Sequence, residues 1–158
     1  MTETSESWQP QSMPAMLISR AAHLLARLAD TRLRDIGLAT AQFPVFLALK
    51  DGGRLSQKEL ARFAGVEQPS MAQLLARMER DGLISREADP ADKRSSLIAL
   101  TEKAFGLLAP GRTILRQGNQ EALAGFSEEE VEKLAELLRR VIANLRGGSD
   151  ANDAARPR

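Results

Sequence analysis

The sequence predicts an all-α fold with a small β-hairpin wing, and three observations carry that expectation. Apolar residues recur at helical steps of three and four through most of the chain. Two short runs, 83–87 and 95–100, break that period once, on either side of a charged, turn-rich loop. Capping residues and glycines punctuate the helical stretches where short helices would start and stop. With 158 residues, 43% apolar and 27% charged, the chain is expected to form one globular domain with tails.

Residues 1–12 are polar, with Glu3 and Glu6 and no basic stretch, and read as a disordered tail rather than a secretory signal. From Pro14 to about Ile36, Leu17, Ala21, Leu24, Leu25 and Leu28 line one face of a helix; Arg20, His23, Arg27, Asp30 and Arg34 line the other, and Gly37 ends it. Such a helix runs on the order of 30 Å, longer than a small domain covers. Thr40 opens a second helix through Phe43, Phe46, Leu47 and Leu49, with Pro44 tolerated in its first turn and Asp51-Gly52-Gly53 closing it. Ser56-Gln57-Lys58-Glu59 is a capping box, and the short helix behind it is expected to turn Leu60 and Phe63 inward before Gly65 stops it. Glu67-Gln68-Pro69 starts the next helix and Asp81-Gly82 ends it; Met71, Leu74, Leu75 and Met78 form its apolar stripe, opposite Ser70, Gln73, Arg77 and Arg80. Two helices so closely joined have the spacing of a helix-turn-helix.

Leu83–Glu87 and Ser95–Leu100 then read as strands joined by Ala88–Arg94, a hairpin wing behind a recognition-type helix. Thr101 caps a helix from about Glu102 towards Gln120, in which Pro110-Gly111 predicts a kink or break. Ser127-Glu128-Glu129-Glu130 is a second capping box, opening a last helix with an acidic first turn, Arg139, Arg140 and Arg146 near its end, and an apolar seam of Val131, Leu134, Leu138, Val141, Ile142 and Leu145. Residues 147–158 read as a second disordered tail.

Composition excludes much chemistry. There is no Cys, no Tyr and one His, so disulfides, thiol nucleophiles and multi-His or Cys metal sites are absent; neither a catalytic apparatus nor a cofactor is expected. No apolar run approaches the roughly 18 residues of a membrane span, and a cytoplasmic protein without membrane contact is expected. Aromatics make up 4%, too few for a single-strand stacking platform. The formal net charge is +1, and between Arg54 and Lys103 nine basic residues face eight acidic ones. A polyanion must therefore be met by a local patch.

Asp89-Pro90-Ala91-Asp92-Lys93-Arg94, followed by Leu97, Ile98, Leu100 and Thr101, resembles the wing signature D-P-x-D-x-R…L-T of MarR-type winged-helix transcription regulators. Ala41-Gln42-Phe43, Ser56–Ala61 and Met78–Ile84 are similar to the same family in the same order, so the resemblance covers residues 13–146. The chain departs from the pattern at Ser95-Ser96, where many members carry further basic residues, and at Pro44. The resemblance implies a winged helix-turn-helix lobe over 40–101 with dimerisation helices over 13–36 and 102–146. It also implies a homodimer on a pseudo-palindromic double-stranded DNA operator, and a repressor relieved by a small-molecule effector in the crevice between the dimer helices and the lobes. Independently of the family, the first and last helices carry more apolar surface than one winged helix covers, which an isologous interface through Leu17, Ala21, Leu24, Leu28 and the last-helix seam would bury.

For DNA contact the candidates are Ser70, Gln73 and Arg77, on one helix face. Gln suits adenine and Arg guanine in the major groove, whereas the plain alternative is a solvated face. Gln68 and the amides around Pro69 lie at a helix N-terminus, where phosphate is favoured. Arg94 is placed for a minor groove, with Asp92 holding it; the alternative is an ordinary surface ion pair. Lys93, Ser56 and Gln57 are phosphate candidates, although capping alone accounts for Ser56. His23 is the sole candidate for a sensing role, against a solvated or interface histidine. A winged-helix protein-interaction module without specific DNA binding is the rival function.

Overall fold

A computed structural model describes residues 12–153, with side chains through residue 147; the expected tails lie outside these residues except for Ser12 and the stretch from 147 to 153. In order, the elements are α1 (Pro14–Leu33), 3-10 turns at Arg34–Ile36 and Thr40–Gln42, α2 (Phe43–Leu49), β1 (Leu55–Ser56), α3 (Gln57–Ala64), α4 (Gln68–Arg80), β2 (Ile84–Ala88), β3 (Ser96–Leu100), α5 (Glu102–Ala122) and α6 (Glu128–Asp153). They fall into two compact units, one ending at Asn119 and the other beginning at Gln120.

In the first unit, the helices end where left-handed glycines allow: Gly37 at φ 74°, Gly65 at φ 67° and Gly82 at φ 71°. Behind Gly65, the Val66 amide reaches back to the Ala61 carbonyl at 3.1 Å, so the turn into α4 is set by backbone bonds. Pro44 sits in the first turn of α2, where its missing N–H costs nothing. The core gathers Leu33, Val45, Phe46, Leu49, Leu60, Met71, Leu75, Met78, Leu83 and Ile98, all buried. Phe43 and Phe46 meet as a tilted ring pair with centroids 5.8 Å apart.

Four details differ from the sequence reading. The sheet has three strands in the order β1-β3-β2, because Leu55 and Ser56 pair with Ile98 and Leu97; two residues are too few to show a period. Phe63 is 48% exposed, and α3 instead turns Leu60, Ala61 and Ala64 inward. Asp30 does not belong to a solvated face: its Oδ1 accepts from both the backbone N and the Oγ1 of Thr40, each at 2.6 Å, tying α1 to the turn before α2. α5 is unbroken through Pro110, so the helix continues where a break was one of the two expected outcomes. At Gly111 α5 lies close against its neighbours, since a Cβ there would lie 2.9 Å from Phe43 Cζ and 3.2 Å from Leu38 Cδ1.

The second unit contains α6, entered through the expected capping box: Ser127 N donates to Glu130 Oε2 at 2.8 Å and Glu130 N to Ser127 Oγ at 3.2 Å. Helical backbone continues to Asp153, past the glycines at 147 and 148 where the sequence reading placed a tail. No helix among the described residues is long and apolar enough to cross a membrane.

Candidate nucleic-acid interface

α3, the turn and α4 form the helix-turn-helix, and the alternation of α4 decides what it presents. Met71, Leu75 and Met78 are fully buried, which leaves Gln68, Pro69, Ser70, Gln73 and Arg77 exposed. None of the side chains of Ser70, Gln73 and Arg77 has a partner among the described residues, so their donors and acceptors are all available to a base edge or a phosphate. The start of α4 is also open: Glu67 at the N-cap makes no side-chain cap bond, and Pro69 occupies the first turn. The N-termini of α3 and α6 are, by contrast, closed by capping boxes.

At α3, Ser56 Oγ donates to Glu59 Oε2 at 2.7 Å and accepts from Glu59 N at 3.3 Å, while Ser56 N donates to the same Glu59 oxygen at 2.7 Å. These bonds hold the Glu59 carboxyl below the ordinary 4.5, the Ser56 backbone bond contributing most. In this arrangement the Ser56 hydroxyl donates its one hydrogen bond to a carboxylate and has none to donate to a phosphate. Gln57, half-buried at the first position of α3, keeps its amide group free.

The wing pairs β2 with β3 from Ile84↔Leu100 to Ala88↔Ser96. Its tip is organised by two aspartates acting on backbone. Asp89 Oδ1 accepts from Ala91 N at 2.8 Å, and Asp92 Oδ1 accepts from Arg94 N at 2.9 Å, with Ser95 N closing onto Asp92 O at 2.9 Å. Asp92 thus holds Arg94 by its amide, and the guanidinium of Arg94 and the ammonium of Lys93 stay exposed without partners among the described residues. The base of the wing is fixed by Arg86 to Glu79 on α4 and Arg54 to Glu87, each at 3.0 Å.

These bonds show how a lobe of net +1 can present a basic surface. Glu59, Glu79, Glu87, Asp89 and Asp92 are all held by internal bonds. Lys58, Arg62, Arg77, Arg80, Lys93 and Arg94 have no such bond among the described residues. The sum is unchanged, but the charges free to move toward a polyanion are mostly cations. His23 is exposed on α1, between Arg20 and Arg27 in the helical pattern. Among the described residues no group of three or more His, Asp or Glu could hold a metal ion.

A model of the MarR family matches residues 36–95, the segment from the end of α1 to the wing tip. A probable transcriptional regulator from Pseudomonas aeruginosa is similar at 28% identity, with a TM-score of 0.75, over 84% of this chain and 99% of that one. BpsR of Bordetella bronchiseptica, whose DNA binding is regulated by 6-hydroxynicotinic acid, is similar at 25% identity and a TM-score of 0.76 over 85% of this chain and 96% of that one. MepR of S. aureus, solved as a DNA complex, is similar at 26% identity and a TM-score of 0.75 over 84% and 98%. With its wing, its open recognition-type helix and these likenesses, the chain has the winged-helix fold of DNA-binding transcriptional regulators, and its segment 36–95 is similar to the MarR family.

Proposed function

We propose that the chain works as a homodimeric repressor in the cytoplasm, binding a pseudo-palindromic operator and releasing it when a small-molecule effector binds. Residues 40–101 read the DNA; residues 13–36 and 102–146 join the two copies. The observation that carries this reading is the unpartnered row of Ser70, Gln73, Arg77, Lys93 and Arg94, set on a rigid helix and an internally braced wing. Gln73 and Arg77 address base edges in the major groove, Gln57, Gln68 and Lys93 contact phosphate, and Arg94 enters the adjacent minor groove. Twofold symmetry places the two α4 helices about one turn of DNA apart, roughly 34 Å. An effector that alters this separation lowers affinity without touching the reading residues. The effector control of BpsR supports that mode of regulation, and His23 on α1 is the side chain to examine first for an effector contact.

The test is a footprint of the purified protein on DNA flanking its own gene. Two protected half-sites one helical turn apart are expected. An absence of protection, with no sequence selected from a random duplex pool, would overturn the reading in favour of a protein-interaction module.

A further inference from the structure

We infer that Thr101 and Lys103 are positioning residues for the recognition helix: from the cap and first turn of α5 they grip the carbonyls of Asp81 and Gly82, where the chain leaves α4, and so set the angle at which α4 is offered to DNA. The inference rests on the reading above, in which α4 enters the major groove and α5 belongs to the dimer scaffold.

The C-terminal carbonyls of any α-helix lack intrahelical partners. Here Thr101 Oγ1 donates to Gly82 O at 2.6 Å and Lys103 Nζ donates to Asp81 O at 2.7 Å. The Thr101 amide adds a bond to Leu83 O at 3.1 Å. The same Thr101 hydroxyl accepts from Ala104 N at 3.3 Å and thereby caps α5. One side chain therefore fixes the turn that leaves one helix and begins the other, using its single proton for the first and a lone pair for the second. The Lys103 ammonium also lies at the negative end of the α4 dipole. Its stem is close to Gly82, since a Cβ at that glycine would stand 3.9 Å from Lys103 Cδ. Met78, Leu83, Ile84, Leu100 and Ala104 are buried here, so the joint has little room to yield.

The leverage is considerable. α4 has 13 residues, about 20 Å, so a tilt of about 10° at the clamped end displaces its N-terminal end by about 3.5 Å. That is close to the roughly 3.4 Å rise of one base pair. A loosened clamp should therefore be detected as a loss of spacing discrimination before any loss of fold.

The full-length protein first selects a duplex from a random-sequence pool. Wild type, Thr101→Val, Thr101→Ser, Lys103→Met and Lys103→Arg are then titrated on that duplex and on versions with one base pair added to or removed from the spacer, and each melting temperature is recorded. Thr101→Val and Lys103→Met are expected to bind the native duplex roughly three- to tenfold more weakly, the effect of one hydrogen bond. On the altered spacers they should match wild type within about twofold, while Thr101→Ser and Lys103→Arg restore discrimination. Undiminished spacer discrimination in Thr101→Val and Lys103→Met overturns the inference and leaves the DNA reading intact. So does an equal loss on all three duplexes that follows a lowered melting temperature, which marks a merely structural role. A wild type indifferent to the spacer overturns the paired-helix reading and the clamp with it. Lys103 is exposed, so Lys103→Met decides the matter if Thr101→Val does not fold.

Discussion

Residues 40–101 and the helices assigned to dimerisation use apolar side chains in opposite ways. The lobe turns Leu60, Met71, Leu75, Met78 and Ile98 into a closed core. α1 leaves Leu17 and Leu24 each 52% exposed and buries only Ala29 and Leu33, at its C-terminal end. α6 has no buried residue among those whose side chains are described, and Leu145 is 68% exposed. The lobe's core is thus closed within one chain, with Leu33 of α1 as part of it, whereas the helices carry an apolar surface that a second copy would cover. Each leucine so covered contributes about 1.5–3 kcal/mol.

Breaking the exposed helices should have the largest effect. The double substitution Leu24→Glu with Leu138→Glu places charge on α1 and α6 where covering is proposed. It should give a monomer by sedimentation and lower operator affinity at least about a hundredfold by removing the linkage of two half-sites. A double variant that still sediments as a dimer would falsify the assignment of these faces.

Damage to the lobe's reading surface should be milder, because it leaves both assembly and core intact. Arg94→Ala is expected to weaken operator binding roughly tenfold and to reduce the slope of log affinity against log salt by about one, with an unchanged melting temperature. An unaltered slope and affinity in a salt titration would show that the wing tip stays off the DNA.

The smallest effect concerns the α3 cap. Folding lowers the Glu59 pKa from 4.5, so the unfolded chain binds the proton more tightly; the stabilisation is present above about pH 4.5 and fades as the pH falls through the folded value. Glu59→Gln should lower the melting temperature slightly at pH 7 and by less at pH 3. Equal losses at both pH values would mean that the carboxylate contributes nothing as a charge.

Local chemistry made much of this legible in advance. Both capping boxes, the glycine stops at 37, 65 and 82, and the two wing strands to within a residue follow from short-range rules, and the exposure of Ser70, Gln73 and Arg77 follows from the period of α4. What escaped depends on residues distant in sequence or on too short a segment. The Asp30 carboxylate finds Thr40 ten residues away, and Thr101 finds Gly82 nineteen away. With two turns, α3 offers too few positions to decide between Phe63 and the alanines as its inner face. Asp92 was expected to hold Arg94, but only the structure shows that it does so through the backbone amide, leaving the charged group free.

On α4, folding and DNA reading are assigned to interleaved but separate positions. Met71, Leu75 and Met78 carry the packing, and the side chains of Ser70, Gln73 and Arg77 have no hydrogen-bond or ion-pair partner among the described residues. Exchanges at exposed, unpartnered helix positions cost typically within about 0.5 kcal/mol. A descendant of this protein could therefore acquire a different operator by drift at 70, 73 and 77 while its fold and assembly remain unaltered. Divergence of target within such a lineage would need no intermediate of compromised stability.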